Sequence, residues 1–147
     1  MEQLICRPME ARDLPALIDL YIRHYNDFEG GCWTRETAAR RIMQVLTRMD
    51  SLCRCLAREG EILGFALGYL EQFDDIVAFD LVEIVIRHDL QGQGLGTTFM
   101  KLLEEEAKAA GAPLIQLQAV NDEMHRHFYG KLGYTDTNSF VSKGKWI

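Results

Sequence analysis

A chain of 147 residues is long enough for one domain with a real core and too short for two. Its net charge of −6 argues against a nucleic-acid partner, which would call for a basic face. The longest apolar run, Ile62 to Leu70, is too short to span a bilayer, and Met1 to Arg7 lacks the basic start and apolar core of a signal peptide, so a cytoplasmic location without membrane contact is expected.

Leu4 to Arg7 reads as a short strand. Asp13 is placed to cap a helix whose apolar residues Leu17, Ile18, Tyr21, Ile22 and Tyr25 recur at helical spacing. Asn26 to Trp33, with Gly30-Gly31, breaks it, and Thr34 caps a second helix running to about Arg48. Cys53 to Arg58 and Ile62 to Phe73 read as a hairpin around Glu59-Gly60-Glu61. Phe79 to Arg87 is the next strand, followed by a glycine loop and a helix to about Ala110, which Gly111-Ala112-Pro113 ends. Leu114 to Val120 reads as a buried strand and Asp122 to Leu132 as a short helix, closed by Gly133 in a left-handed conformation. Thr135–Val141 and Lys143–Ile147 are the last two strands expected. No repeat or linker divides residues 1–147, which are read as one domain.

The most informative stretch is Leu81 to Thr98, where a β-branched run meets Gly92, Gly94 and Gly96 and then a helix-forming sequence. Glycines let backbone approach a ligand, and a helix N-terminus offers unpaired N–H groups and positive dipole, so this turn is suited to phosphate. The dinucleotide fingerprint needs its third glycine where Thr97 stands, and the nucleotide-triphosphate loop needs a lysine that Gly96-Thr97-Thr98 lacks. Gln91-x-x-Gly94-x-Gly96 instead resembles the pyrophosphate loop of the Gcn5-related N-acetyltransferase (GNAT) family. Further on, Phe128-Tyr129-Gly130-Lys131-Leu132-Gly133-Tyr134 is similar to the Phe-Tyr-x-Lys-Leu-Gly-Phe signature of the same family, in the right order along the chain.

The resemblance implies an α/β fold: a central mixed, mostly antiparallel sheet of about six to seven strands flanked by four helices. It also implies acetyl-CoA as acyl donor and direct transfer to a primary amine in a ternary complex. Residues Gln91, Gly92, Gln93, Gly94, Leu95, Gly96 and Thr97 would hold the pyrophosphate, and a backbone amide near Ile84, Val85 or Ile86 would polarise the thioester. Many relatives carry Arg where Gln91 stands; Arg87 or Lys101 either offsets the missing charge or is solvated surface. Glu83, an acid within an apolar strand, is the first candidate for the base that neutralises the amine, with Glu71 in reserve. Tyr129 matches the family's general acid for the leaving thiolate, a phenol being better matched to that task than a carboxylic acid. Relatives often carry an Asn seven residues before that Tyr; Asn121 precedes Tyr129 by eight, so it either contacts the donor's pantetheine arm or caps the helix.

Phe28 and Trp33, with Tyr25, form either an acceptor pocket or core packing. Asp27, Glu29, Glu71, Asp74, Asp75, Asp80 and Glu83 make either a solvated surface or a negative field that draws a small cationic amine. Cys6, Cys32, Cys53 and Cys55 read as buried free thiols, with Cys53 and Cys55 on one strand face; their spacing suits no zinc site, and His125 and His127 fall on different helix faces, so no metal is expected. A non-catalytic acyl-CoA sensor and a protein or peptide N-acetyltransferase are the alternative functions, and a homodimer is compatible with the resemblance.

Overall fold

Strand β2 (Arg54–Arg58) turns into β3 (Glu61–Gln72) through Glu59 and Gly60, whose φ values are 53° and 78°. Two successive positive φ angles make the tight hairpin turn whose twist matches that of its strands. β1 (Ile5–Pro8) pairs with β2 and β4 (Val77–Ile86) with β3, all antiparallel, while β5 (Leu114–Leu117) joins β4 in parallel. The structure, a computed structural model, describes residues 3–137 and 139–147, and its sheet runs in the order β1-β2-β3-β4-β5.

A parallel pair needs a crossover, and α3 (Leu95–Ala109) supplies it between β4 and β5. α3 presses Phe99, Met100 and Leu103 onto one face of the sheet, against Leu56, Ala66, Phe79 and Leu81. On the other face α1 (Leu14–Ile22) and α2 (Arg35–Leu46) bring Leu17, Tyr21 and Ile42 to Cys55, Phe65, Leu67 and Val85. Burial from both sides is why β3 reads as an unbroken apolar run. Thr34 accepts the Thr37 N–H at 3.1 Å at the start of α2, a cap of about 1 kcal/mol. α4 (Glu123–Lys131) contributes no fully buried residue and ends at Gly133, whose φ is 90°.

Several expectations are corrected. Asp13 does not cap α1 through its side chain; its carboxylate takes two 2.8 Å bonds from Arg7 and the Glu10 N–H, and the helix is entered through a 3-10 turn at Ala11–Asp13. The first helix does not keep its period to Tyr25, because Arg23–Asp27 form a π turn. Asp122 rather than Asn121 caps α4, accepting the His125 N–H at 2.8 Å. Cys53 and Cys55 are buried as expected, but Cys6 is only half-buried and Cys32 is exposed. Neither Thr135–Val141 nor Lys143–Ile147 forms a strand among the described residues, so the sheet has five strands rather than six or seven; residue 138 lies outside the described set. The physical reason is the lack of a ladder partner, since a strand alone leaves its N–H and C=O groups unpaired. No helix among the described residues is long and apolar enough to cross a membrane.

Candidate active site

The site starts where two strands part. β4 and β5 pair from Ala78–Leu114 to Leu81–Leu117 and no further. On the other side of β4, Leu67 pairs with Glu83 and Gly68 with Leu81, so Val82 has no rung of its own. An extra residue of this kind kinks the strand that carries it. It also resets the side-chain phase: strict alternation from Leu81 would turn Glu83 toward α3, whereas here it faces α1 and α2.

Beyond the kink lies a cleft of about 290 Å³. β4 lines it with Val82, Glu83 and Ile84, and the chain after β5 with Gln118, Ala119 and Val120. α4 contributes His125 and Tyr129, and the π turn and its exit contribute His24, Tyr25 and Glu29. π turns shift the helical phase by one residue and are frequent at functional sites.

Glu83 Oε1 accepts the Tyr21 hydroxyl at 2.8 Å and Arg41 Nε at 3.2 Å, while Oε2 is buried without a partner. Burial pushes the Glu83 carboxyl above its ordinary range, outweighing the opposite pull of Tyr21 and Arg41. Across the cleft, burial raises the Tyr129 phenol as well, so near neutral pH it keeps its proton. Its ring meets Phe128 and Tyr134 edge-on, and the Tyr134 hydroxyl is anchored to Glu104 at 2.8 Å. His24 stands with Nε2 3.8 Å from Glu29 and Nδ1 buried without a partner, and burial lowers its pKa.

The glycine loop lies beyond the end of β4. Gly92 and Gly94 have φ of 80° and 81°, with nothing within 4 Å of where a Cβ would project. The first helical bond of α3 runs from the Thr98 N–H to the Gly94 carbonyl, so the amides of Leu95, Gly96 and Thr97 have no intrahelical partner. Left-handed glycines before an open helix N-terminus fit a pyrophosphate. Gly96 sits against Phe128, whose ring is 3.3 Å from where its Cβ would stand, which couples the loop to the helix of Tyr129. Gln93 is exposed, Thr97 is half-buried and Leu95 is buried. The Gln91 side chain is turned back, donating to the Ile86 carbonyl at 3.1 Å.

Other named residues lie elsewhere or hold other partners. Val85 and Ile86 are buried on opposite faces of the sheet, leaving Ile84 toward the cleft. Arg87 is held by Asp89 and Glu61, and Lys101 is exposed on α3. Asn121 Oδ1 accepts from Arg126 at 2.8 Å. Phe28 stacks on His88 with ring centres 3.5 Å apart. Trp33 packs edge-on against Tyr21 and, through its backbone, exchanges two 2.8 Å bonds with Asn26. Glu71 accepts from Gln116 at 3.0 Å and pairs with Ala78, roughly 16 Å along β4 from Glu83 at strand spacing. Of the acidic residues, Glu29 and Glu83 line the cleft, whereas Asp80 takes the Tyr69 hydroxyl at 3.2 Å. Tyr21, Arg41 and His24 were not legible as site residues, because their partners are distant in sequence or set by the π turn.

Residues 14–134 match the Acetyltransferase (GNAT) family. An uncharacterised N-acetyltransferase of Methanocaldococcus jannaschii is 23% identical over 92% of this chain, which spans 61% of that relative's length. A predicted acetyltransferase from Clostridium acetobutylicum, solved with acetyl-CoA, superposes with a TM-score of 0.76 at 18% identity, covering 97% of this chain and 96% of that one. An aminoglycoside N-acetyltransferase in complex with CoA superposes at 0.78 with 11% identity, covering 100% and 97%. Those two likenesses describe the fold; the family match spans most of the sequence, and the chain belongs to the GNAT acetyltransferase family.

Proposed function

We propose that this chain is an N-acetyltransferase that moves an acetyl group from acetyl-CoA to a primary amine by direct attack in a ternary complex. The observation that carries the reading is the pairing of Glu83 and Tyr129 across one cleft, with the glycine cradle beyond the end of the same strand. A buried carboxylate oxygen without a partner costs about 1–3 kcal/mol, and Glu83 Oε2 is one. A proton donor in the cleft would remove that cost.

Acetyl-CoA supplies an activated thioester. The amides of Leu95, Gly96 and Thr97, with Gly92 and Gly94, hold its pyrophosphate. Past Leu81, β4 has no β5 partner, so its backbone in the stretch Ile84–Ile86 is the source of the N–H that polarises the carbonyl. Glu83 takes a proton from the incoming ammonium, its raised pKa bringing it nearer to working pH. The amine nitrogen bonds to the acyl carbon, the carbon–sulfur bond breaks, and Tyr129 gives its phenolic proton to the departing thiolate.

The acceptor is a small cationic amine: polyamine, aminoglycoside or amino acid. Support comes from the size of the cleft and from Glu29 and Glu83 as two acids on its wall. A primary amine on a protein or peptide, and a non-catalytic acyl-CoA sensor, are the competing readings. Calorimetric titration with acetyl-CoA followed by a free-thiol assay over an amine panel separates them. Thiol release with one small-amine class supports the proposal. Tight binding without release from any small amine removes it in favour of the competitors, and no binding removes the cradle.

A further inference from the structure

The fold is thinly covered after residue 114. No residue of β5 or α4 is fully buried. Seven of the exposed large hydrophobic residues fall here: Leu114, Val120 and Met124 on the body, and Phe140, Val141, Trp146 and Ile147 on the segment after Tyr134. Trp146 and Ile147 are 101% and 113% exposed, so they touch nothing in their own copy. β5 pairs only with β4 among the described residues, leaving its outer edge open. Beside that edge runs a trough of about 1850 Å³ whose walls include Leu114 to Val120, Tyr129 and Phe140 to Ser142. The copy's own chain therefore passes along the trough without building a rung on β5, and leaves it before Trp146.

An open edge and a free, extended apolar segment are donor and acceptor of one interaction, strand addition. We propose that Phe140–Ile147 of one copy adds as a strand to the outer edge of β5 in a second copy, and that the exchange is reciprocal. The occupant is argued from stoichiometry: each copy offers one edge and one segment. A two-fold exchange therefore uses both and leaves neither over, closing the assembly at a dimer. Reach is sufficient, because Thr135 to Ile147 extends roughly 40 Å at strand spacing. Alternation puts Phe140 and Trp146 on one face of the added strand, each able to cover about 150–250 Å². Doubled by symmetry and joined by Leu114, Val120 and Met124, the contact exceeds the ~1,000 Å² of a specific interface. The added strand also completes the wall of the trough beside Tyr129. This proposal goes beyond the acetyl-transfer reading and stands without it.

Light scattering on the full chain should give twice 16.8 kDa, and amides of Leu114–Leu117 should resist hydrogen exchange until dilution separates the copies. Trp146→Lys and deletion of residues 140–147 should each raise the dimer dissociation constant at least ~100-fold and strip the β5 amides of protection. Because Trp146 is fully exposed in a single copy, its substitution leaves that copy's fold intact, and an unchanged thermal midpoint at dilution checks this. A monomer with protected β5 amides would mean the segment folds back on its own copy. A monomer with unprotected amides, or a dimer indifferent to both changes, would equally overturn the proposal. Acetyl-CoA titration of the same samples reports the glycine cradle separately, so failure of the two readings is distinguishable.

Discussion

The Tyr21 hydroxyl donates to Glu83 Oε1 at 2.8 Å, joining the middle of the first helix to a strand residue 62 positions later. The bond stabilises the ionised carboxylate, whereas burial disfavours it, and burial wins. Tyr21→Phe removes the bond while keeping the ring. The acid limb of the kcat/KM profile should then move to higher pH by about one unit. A limb that does not move would detach Glu83 from the rate.

Glu83→Gln should lower turnover ~10²-fold or more and abolish that limb. It should also change how stability depends on pH. The folded pKa of Glu83 lies above the unfolded one, so folding holds its proton more tightly. That contribution is present at low pH and is lost as pH rises through the folded pKa. Thermal midpoints of the wild type should therefore fall over this interval by more than those of Glu83→Gln.

Tyr129→Phe should cut turnover at least ~10²-fold and leave the acetyl-CoA dissociation constant within a factor of about three, since the hydroxyl acts on the thiolate and not on the pyrophosphate. Thiol release and calorimetry on one preparation check both. Unchanged turnover would remove Tyr129 from the reaction.

Gly94→Val places a β-branched side chain at φ 81° in the mouth of the cradle. Acetyl-CoA affinity should drop at least ~100-fold, and the backbone strain should lower stability by about 1–3 kcal/mol. Titration calorimetry and a melting curve read the two effects independently. Normal affinity would place the phosphates elsewhere.

What can be read from the chain is what is encoded locally. The approach of β4 to three glycines and a helix lies within Leu81–Thr98, and Phe128 to Tyr134 carries its helix and its stop in adjacent residues. The rest depends on relationships that spacing does not express. Tyr21 belongs to the apolar stripe of α1, and nothing near it says that its hydroxyl meets an acid on β4. A uniform helical period carried to Tyr25 cannot show the π turn that brings His24 and Tyr25 to the cleft. The strands expected after Thr135 have the alternation of strands but no partner within the chain to pair with.

Val82 has a consequence for how this site tolerates change. Its side chain is one apolar contact among several, and Ile or Leu in its place would fill the same space. Its presence as a counted unit matters more. A chain shortened by that one residue would still align Glu83 with Leu67 and turn it toward Tyr21, but β4 would run straight past Leu81. The acid would keep its place while the opening beside it narrowed. At this position the protein is sensitive to arithmetic and indifferent to spelling: substitutions should pass, and a deletion should silence the enzyme without unfolding it.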